Sequence, residues 1–184
     1  MRVLFLRHGE SAHNVHTGEE RLSEELGDVL TEHGRAQAAV AGEALRERGI
    51  TRLLTSPMRR ATETAEAVGE ALGLAPEVIP YAFEHHGEET FAEAMERVRR
   101  VKRHFEEGPG DGLPLLVNHG ILLRFFLLDS LLGDGFTADL LPRIWNLRTY
   151  NCALSTFAHG EPGEPDETLG WTCVTWMERP WDRP

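Results

Sequence analysis

Short runs of consecutive apolar residues alternate along the chain with longer segments in which apolar residues recur every three or four positions. Val3-Leu4-Phe5-Leu6 reads as a short buried strand, Arg52–Thr55 as a second short strand and Leu113–Val117 as a third. Glu77–Ile79 predicts a smaller strand. Tyr150–Phe157 and Trp171–Met177 predict two late ones, joined by an acidic Gly/Pro loop over 158–168. Between the strands, Thr31 is placed to cap a helix running to about Arg48 and closed by Gly49. A second helix starts near Met58, carries Ala61, Thr64, Ala65, Val68 and Leu72 on one face, and stops at Gly73. A third, about Glu88–Glu106, has its acids first and its bases last, the order that the helix dipole favours. The fourth, Gly120–Leu132, is nearly all apolar and predicts burial on most sides. Residues 11–30 form a polar excursion and 81–87 a loop. Strands that alternate with helices predict an α/β fold, a three-layer α/β/α sandwich around a mainly parallel sheet.

The 184 residues, 41% hydrophobic and 27% charged, suit one globular domain over 1–184 with an irregular tail at 178–184. Thirty acidic residues against 19 basic ones give a net charge of -11, which disfavours nucleic acid and anionic membranes as partners. A small anionic substrate stays compatible if positive charge is concentrated locally. The longest apolar stretch, Ile121–Leu132, contains Arg124 and Asp129 and cannot span a bilayer. With no signal peptide and two unclustered cysteines, Cys152 and Cys173, the expectation is a soluble cytoplasmic protein with reduced thiols. The basic run Arg97, Arg99, Arg100, Lys102 and Arg103 is expected to be a solvated helix face. Trp145, Trp171, Trp176 and Trp181 are expected to pack on their own domain, with a homodimer contact through them left open.

One local pattern occurs twice. Leu4-Phe5-Leu6 leads into Arg7-His8-Gly9, and Leu115-Leu116-Val117 into Asn118-His119-Gly120. Each places a histidine at the carboxyl end of a buried strand, where open α/β sheets bind ligands, with a glycine that frees the backbone to turn. If the two strands are neighbours, the two histidines face each other. Arg7, and Arg60 in the first turn of its helix, supply the planar forks that hold phosphate oxygens. Arg59 reads as surface charge.

These residues resemble the histidine phosphatase superfamily, the phosphoglycerate mutase-like family. The resemblance rests on Leu6-Arg7-His8-Gly9-Glu10-Ser11 with Asn14, on Leu30–Ala38, on Ser56–Ala65, and on Val117-Asn118-His119-Gly120 with Arg124. Asn151, read as opening a late strand, also fits, and Asn118 stands where many relatives have serine. The resemblance implies a phosphoglycerate mutase-like fold, His8 as the nucleophile that accepts the phosphoryl group, and Arg7, Asn14, Arg60 and His119 around the phosphate. It also implies a glutamate after the second helix that serves as acid and then base, best matched by Glu84 in Phe83-Glu84-His85-His86-Gly87. Glu88 and Glu89 are the alternatives, although they fit the first turn of the following helix. No cofactor and no metal are implied.

The implied activity is hydrolysis of a small phosphorylated metabolite. A phosphoglycerate mutase-type transfer is the first alternative. Mutases of the family carry a longer insertion between the arginine motif and the second histidine than the interval from Arg60 to His119. The further alternatives are a non-catalytic protein-binding module and a zinc protein, the latter prompted by the pairs His13 with His16 and His85 with His86, whose spacing matches no regular site.

Overall fold

The computed structural model describes residues 1–17, 22–108, 112–160, 170–179 and 181. Six strands form one sheet: β1 (Arg2–Arg7), β2 (Ile50–Thr55), β3 (Pro76–Val78), β4 (Leu113–Asn118), β5 (Leu154–His159) and β6 (Trp171–Glu178), in the spatial order β3-β2-β4-β1-β5-β6. β1, β2, β3 and β4 pair in parallel, while β5 runs antiparallel to β1, and β6 antiparallel to β5. The expected three-layer α/β/α arrangement with a mainly parallel sheet is what the chain forms.

Strand alternation builds the layers. Leu4 and Leu6 of β1, Leu53 of β2 and Leu115 and Val117 of β4 pack on helices α3 (Glu32–Leu45) and α4 (Arg59–Leu72), through Leu45, Ala61, Ala65 and Val68. Val3, Phe5, Leu54 and Leu116 face the other way, onto α5 (Phe91–Glu106) and α6 (Gly120–Leu132). Both faces of the central strands are covered, so they read as continuous apolar runs. Phe5 sits at the centre of the second layer, its ring 4.8 Å from Phe126, 5.4 Å from Phe157 and 5.9 Å from Phe105. Truncating such a residue to alanine typically costs about 3–5 kcal/mol.

Several boundaries differ from expectation for local reasons. Thr31 caps α3, its side chain accepting from Gly34 N, but the helix stops at Leu45 and a turn follows before Gly49. α5 begins at Phe91, not near Glu88, because Thr90 and Glu93 close a capping box there. Tyr150–Ala153 is a turn rather than the start of a strand, so Asn151 precedes β5 instead of opening it. The polar excursion holds two single-turn helices, α1 (Ala12–Val15) and α2 (Glu24–Gly27), and residues 18–21 lie outside the described residues. The same is true of 161–169 in the expected loop, and of 180 and 182–184 in the expected tail, whose first residue, Glu178, closes β6.

The basic run on α5 is not a solvated face throughout. Arg97 and Lys102 are buried: Arg97 pairs with Glu89 and the carbonyl of Phe83, and Lys102 donates to Asp129 of α6 at 2.6 Å. A charge on a helix that lies against a second helix is tolerated only when paired, and Asp129 supplies the pair. Neither Cys152 nor Cys173 is held in a disulfide among the described residues, and among these no helix is long and apolar enough to cross a membrane.

Candidate active site

β1 and β4 are neighbours in register Arg7↔Asn118, so the residue after each strand arrives at the same edge of the sheet. His8 N continues the ladder to Asn118 O at 2.9 Å, and the His8 and His119 rings lie 5.2 Å apart. Parallel pairing thus turns two sequence echoes, 111 residues apart, into one constellation. The adjoining β2 ends one residue before Ser56, from which the chain enters α4 and presents Arg60 to the same place.

The glycines of the two motifs do something other than turn the chain. Neither Gly9 nor Gly120 has positive φ. A Cβ on Gly9 would come 2.5 Å from the carbonyl oxygen of Gly34 in α3, and one on Gly120 would come 2.9 Å from Thr149 Oγ1. They are needed for close approach, which lets α3 and the turn before β5 press against the site.

His8 is buried and clamped. Its carbonyl accepts from Asn151 Nδ2 at 3.0 Å, and Gly9 N donates to Thr64 Oγ1 of α4. Its Nδ1 lies 2.7 Å from the carbonyl of Gly9, which can only accept, so Nδ1 carries the hydrogen. Nε2 is then unprotonated, and Arg60 donates to it from Nε at 3.1 Å. Burial, reinforced by the charges of Arg60 and Arg7, pushes the His8 pKa well below the ordinary histidine value. The ring is therefore neutral at neutral pH, with its lone pair on the nitrogen that faces the arginine.

His119 is fully buried, and its pKa is lowered well below the ordinary histidine value by burial first and by the charges of Arg60 and Arg7. Its Nε2 pairs with Ser56 Oγ at 2.7 Å, while Nδ1 has no partner among the described residues. Arg7 donates from Nη1 to Thr149 O at 2.9 Å. Burial pushes its pKa down to about 10, against the opposing pull of the Glu84 charge, so it still carries its proton at pH 7. Asn14 commits its Oδ1 to Ser11 N and to Asn151 Nδ2, each at 3.1 Å, which leaves its NH2 group as the part that can donate to an anion.

Glu84 stands across the cleft. Its carboxylate accepts from the backbone N–H of Ile121 at 3.0 Å and of Leu122 at 3.1 Å, capping α6, and from His85 N at 3.0 Å. Glu89 is structural, though not as a first-turn residue of α5: it is bound by Arg97 and by His85 Nδ1. Burial pushes its pKa upward, but the bonds from Arg97 and His85 prevail and hold it below the usual carboxylate value. Glu88 is exposed at the mouth. Arg59 is exposed, as expected, and pairs with Glu63.

Two contributors carry no distinctive signal in the sequence. Asp28 pairs with Arg60 Nη1, and its carboxylate also accepts from the backbone N–H of Arg59 at 2.7 Å, so it caps the first turn of α4. Its role arises only because the loop ahead of α3 folds across that helix end. Thr64, one turn along α4, ties the helix to the His8 loop. Arg7, His8 and Arg60 line a cleft of about 850 Å³ together with Asn14, Asp28, Met58 and the 83–88 loop that carries Glu84, whereas His119 and Thr64 lie behind its lining. Among the described residues no cluster of His, Cys, Asp and Glu is arranged to hold a metal ion.

A buried neutral imidazole flanked by arginine forks, at the edge of this sheet, agrees with the family comparison: residues 3–84 match the model of the histidine phosphatase superfamily (branch 1). Over that part of its length the chain is similar to the histidine phosphatase superfamily. Similar proteins include that of Klebsiella pneumoniae subsp. pneumoniae named Probable phosphoglycerate mutase GpmB, 28% identical, with 95% of this chain and 92% of that one aligned. Among solved structures, a mycobacterial glucosyl-3-phosphoglycerate phosphatase matches with a TM-score of 0.69 at 24% identity over 95% of this chain and 98% of that one. Phosphoserine phosphatase of Entamoeba histolytica matches with a TM-score of 0.72 at 14% identity, with 96% of each chain covered. At these identities the solved structures establish the shared fold.

Proposed function

We propose that the protein is a metal-independent phosphomonoesterase that hydrolyses a small phosphorylated metabolite through a phosphohistidine on His8. The observation that carries this reading is the tautomer of His8. Its Nδ1–H is spent on Gly9 O, so the Nε2 lone pair faces the guanidinium that would hold the phosphoryl oxygens. Arg60 hands its Nε–H to a phosphate oxygen as the substrate arrives, and Nε2 attacks phosphorus as the bond to the ester oxygen breaks. Arg7, Arg60, Asn14 and His119 offset the charge spread over the equatorial oxygens, work that a metal ion does elsewhere. Glu84, having taken up the proton that the phosphate monoanion brings in, gives it to the leaving alkoxide. The resulting carboxylate then takes a proton from water, which attacks phosphorus, breaks the N–P bond and returns the lone pair to His8. The products are the free alcohol and inorganic phosphate.

A mutase, in which the phosphoryl group returns to another oxygen of the substrate, is favoured by the name of the Klebsiella relative. Names among the structural neighbours, glucosyl-3-phosphoglycerate phosphatase and phosphoserine phosphatase, support hydrolysis. A panel of metabolite phosphates assayed for free phosphate and for isomerised product separates the two, with His8→Ala as control. Phosphate release without isomer is expected. Isomer with little phosphate release establishes the mutase, and full turnover by His8→Ala removes the histidine mechanism altogether.

A further inference from the structure

We infer that the leaving group carries a planar aromatic ring, which stacks on His86 at the mouth of the cleft; this rests on the phosphomonoesterase reading of the same site. The 83–88 loop carries more order than a surface loop needs. The guanidinium of Arg97 lies 4.1 Å from the centre of the Phe83 ring and is itself fixed by Glu89 and by the carbonyl of Phe83. The His86 ring stacks on Phe83, with centroids 5.8 Å apart and planes 22° from parallel. His86 is nonetheless exposed and lines the cleft, so this anchored stack ends in an imidazole with ring surface to offer. The apolar side chains of Leu22 and Met58 line the same space.

Charge selects in the same direction. Arg7 and Arg60 belong to the phosphate cradle, and Asp28 and Glu84 are committed to Arg60 and to α6. Among the described lining residues this leaves Glu88 as the charged group at the mouth. A second anionic group on the substrate would meet that carboxylate, whereas an uncharged ring meets a flat, polarisable surface. Ring-on-ring stacking of this kind raises affinity by about tenfold.

The deciding comparison is adenosine 5′-monophosphate against ribose 5-phosphate, which share the same leaving oxygen and differ by the planar base. Wild type is expected to favour the nucleotide by about tenfold in kcat/KM. His86→Ala brings the ratio close to one, and His86→Phe keeps it. A ratio near one in wild type, or a ratio that His86→Ala leaves intact, overturns the inference. The same pair is titrated by calorimetry into His8→Ala and into the double variant His8→Ala/His86→Ala, so that the subsite is read without turnover. Preferential nucleotide binding with no hydrolysis of any ester supports the subsite and removes the phosphatase reading. Hydrolysis of both esters without preference does the reverse.

Discussion

Arg60 donates from Nε to His8 Nε2 at 3.1 Å, so the guanidinium proposed to hold the phosphate also marks which nitrogen of His8 carries the lone pair. An imidazolium could not accept that bond. The burial that keeps His8 neutral has a consequence for stability that can be read in solution.

His8 and His119 both have folded-state pKa values well below the ordinary histidine value, with burial the leading cause. Below about pH 6.5 the unfolded chain binds protons that the folded chain refuses, so stability is fully present above that pH and falls on acidification toward the depressed folded values. Each histidine contributes a slope of up to about 1.4 kcal/mol per pH unit. Urea unfolding at pH 7.5 and 5.5 is expected to show a lower midpoint at the acid pH. His119→Asn should shrink the difference by about half of the two-histidine share. A midpoint that does not move across this range contradicts the buried neutral pair.

Glu84 caps α6 and is the acid proposed across from His8. Glu84→Gln keeps an oxygen for the backbone donors but has no proton to transfer. Activity on alkyl esters is expected to fall by about 10²–10³. In kcat/KM, which reports phosphoryl transfer to His8, the loss should be much smaller for an ester with a low-pKa phenolic leaving group. For that ester the phosphoenzyme should accumulate because its hydrolysis has lost the base. An equal loss on both ester types would assign Glu84 to capping alone. The cap itself is tested by Glu84→Ala, expected to cost about 0.5–2 kcal/mol in thermal unfolding.

The Asp28 carboxylate sits on Arg60, where it repels an arriving dianion. Asp28→Asn removes that repulsion and keeps an acceptor for Arg59 N. Inorganic phosphate is expected to inhibit the variant several-fold more tightly than wild type, while kcat drops because Arg60 is less firmly directed. Unchanged inhibition would mean that the carboxylate does not feel the bound anion.

Lys102 and Asp129 join α5 to α6 behind the site, 2.6 Å apart and both buried. Burial lowers the Lys102 pKa, and the bond to Asp129 works against that shift. Asp129→Ala strands the ammonium and is expected to cost about 3–5 kcal/mol in denaturant unfolding, more than most single changes on the surface. Replacing both partners with methionine and leucine should recover much of the loss.

The sequence alone determined the two innermost strands, because a strand covered on both faces must be a continuous apolar run, and Val3–Leu6 and Leu115–Val117 are such runs. It determined the candidate nucleophile as well, since a strand end followed by Arg7-His8-Gly9 is a local signal that needs no partner to be read. Element ends were less legible: α5 starts at Phe91 because the Thr90 capping box outcompetes the acids before it. What only the tertiary structure decided is whatever depends on contacts distant in sequence. The parallel pairing of β1 with β4 brings His119 to 5.2 Å from His8. The fold of the 22–30 loop sets Asp28 on Arg60. Gly9 is glycine because the backbone of Gly34 comes too near for a Cβ, not because the chain must turn there. Local free energies write strands and caps into short stretches of sequence, but the protonation state of His8 is set by the total burial and charge around it, and that sum exists only once the layers have closed.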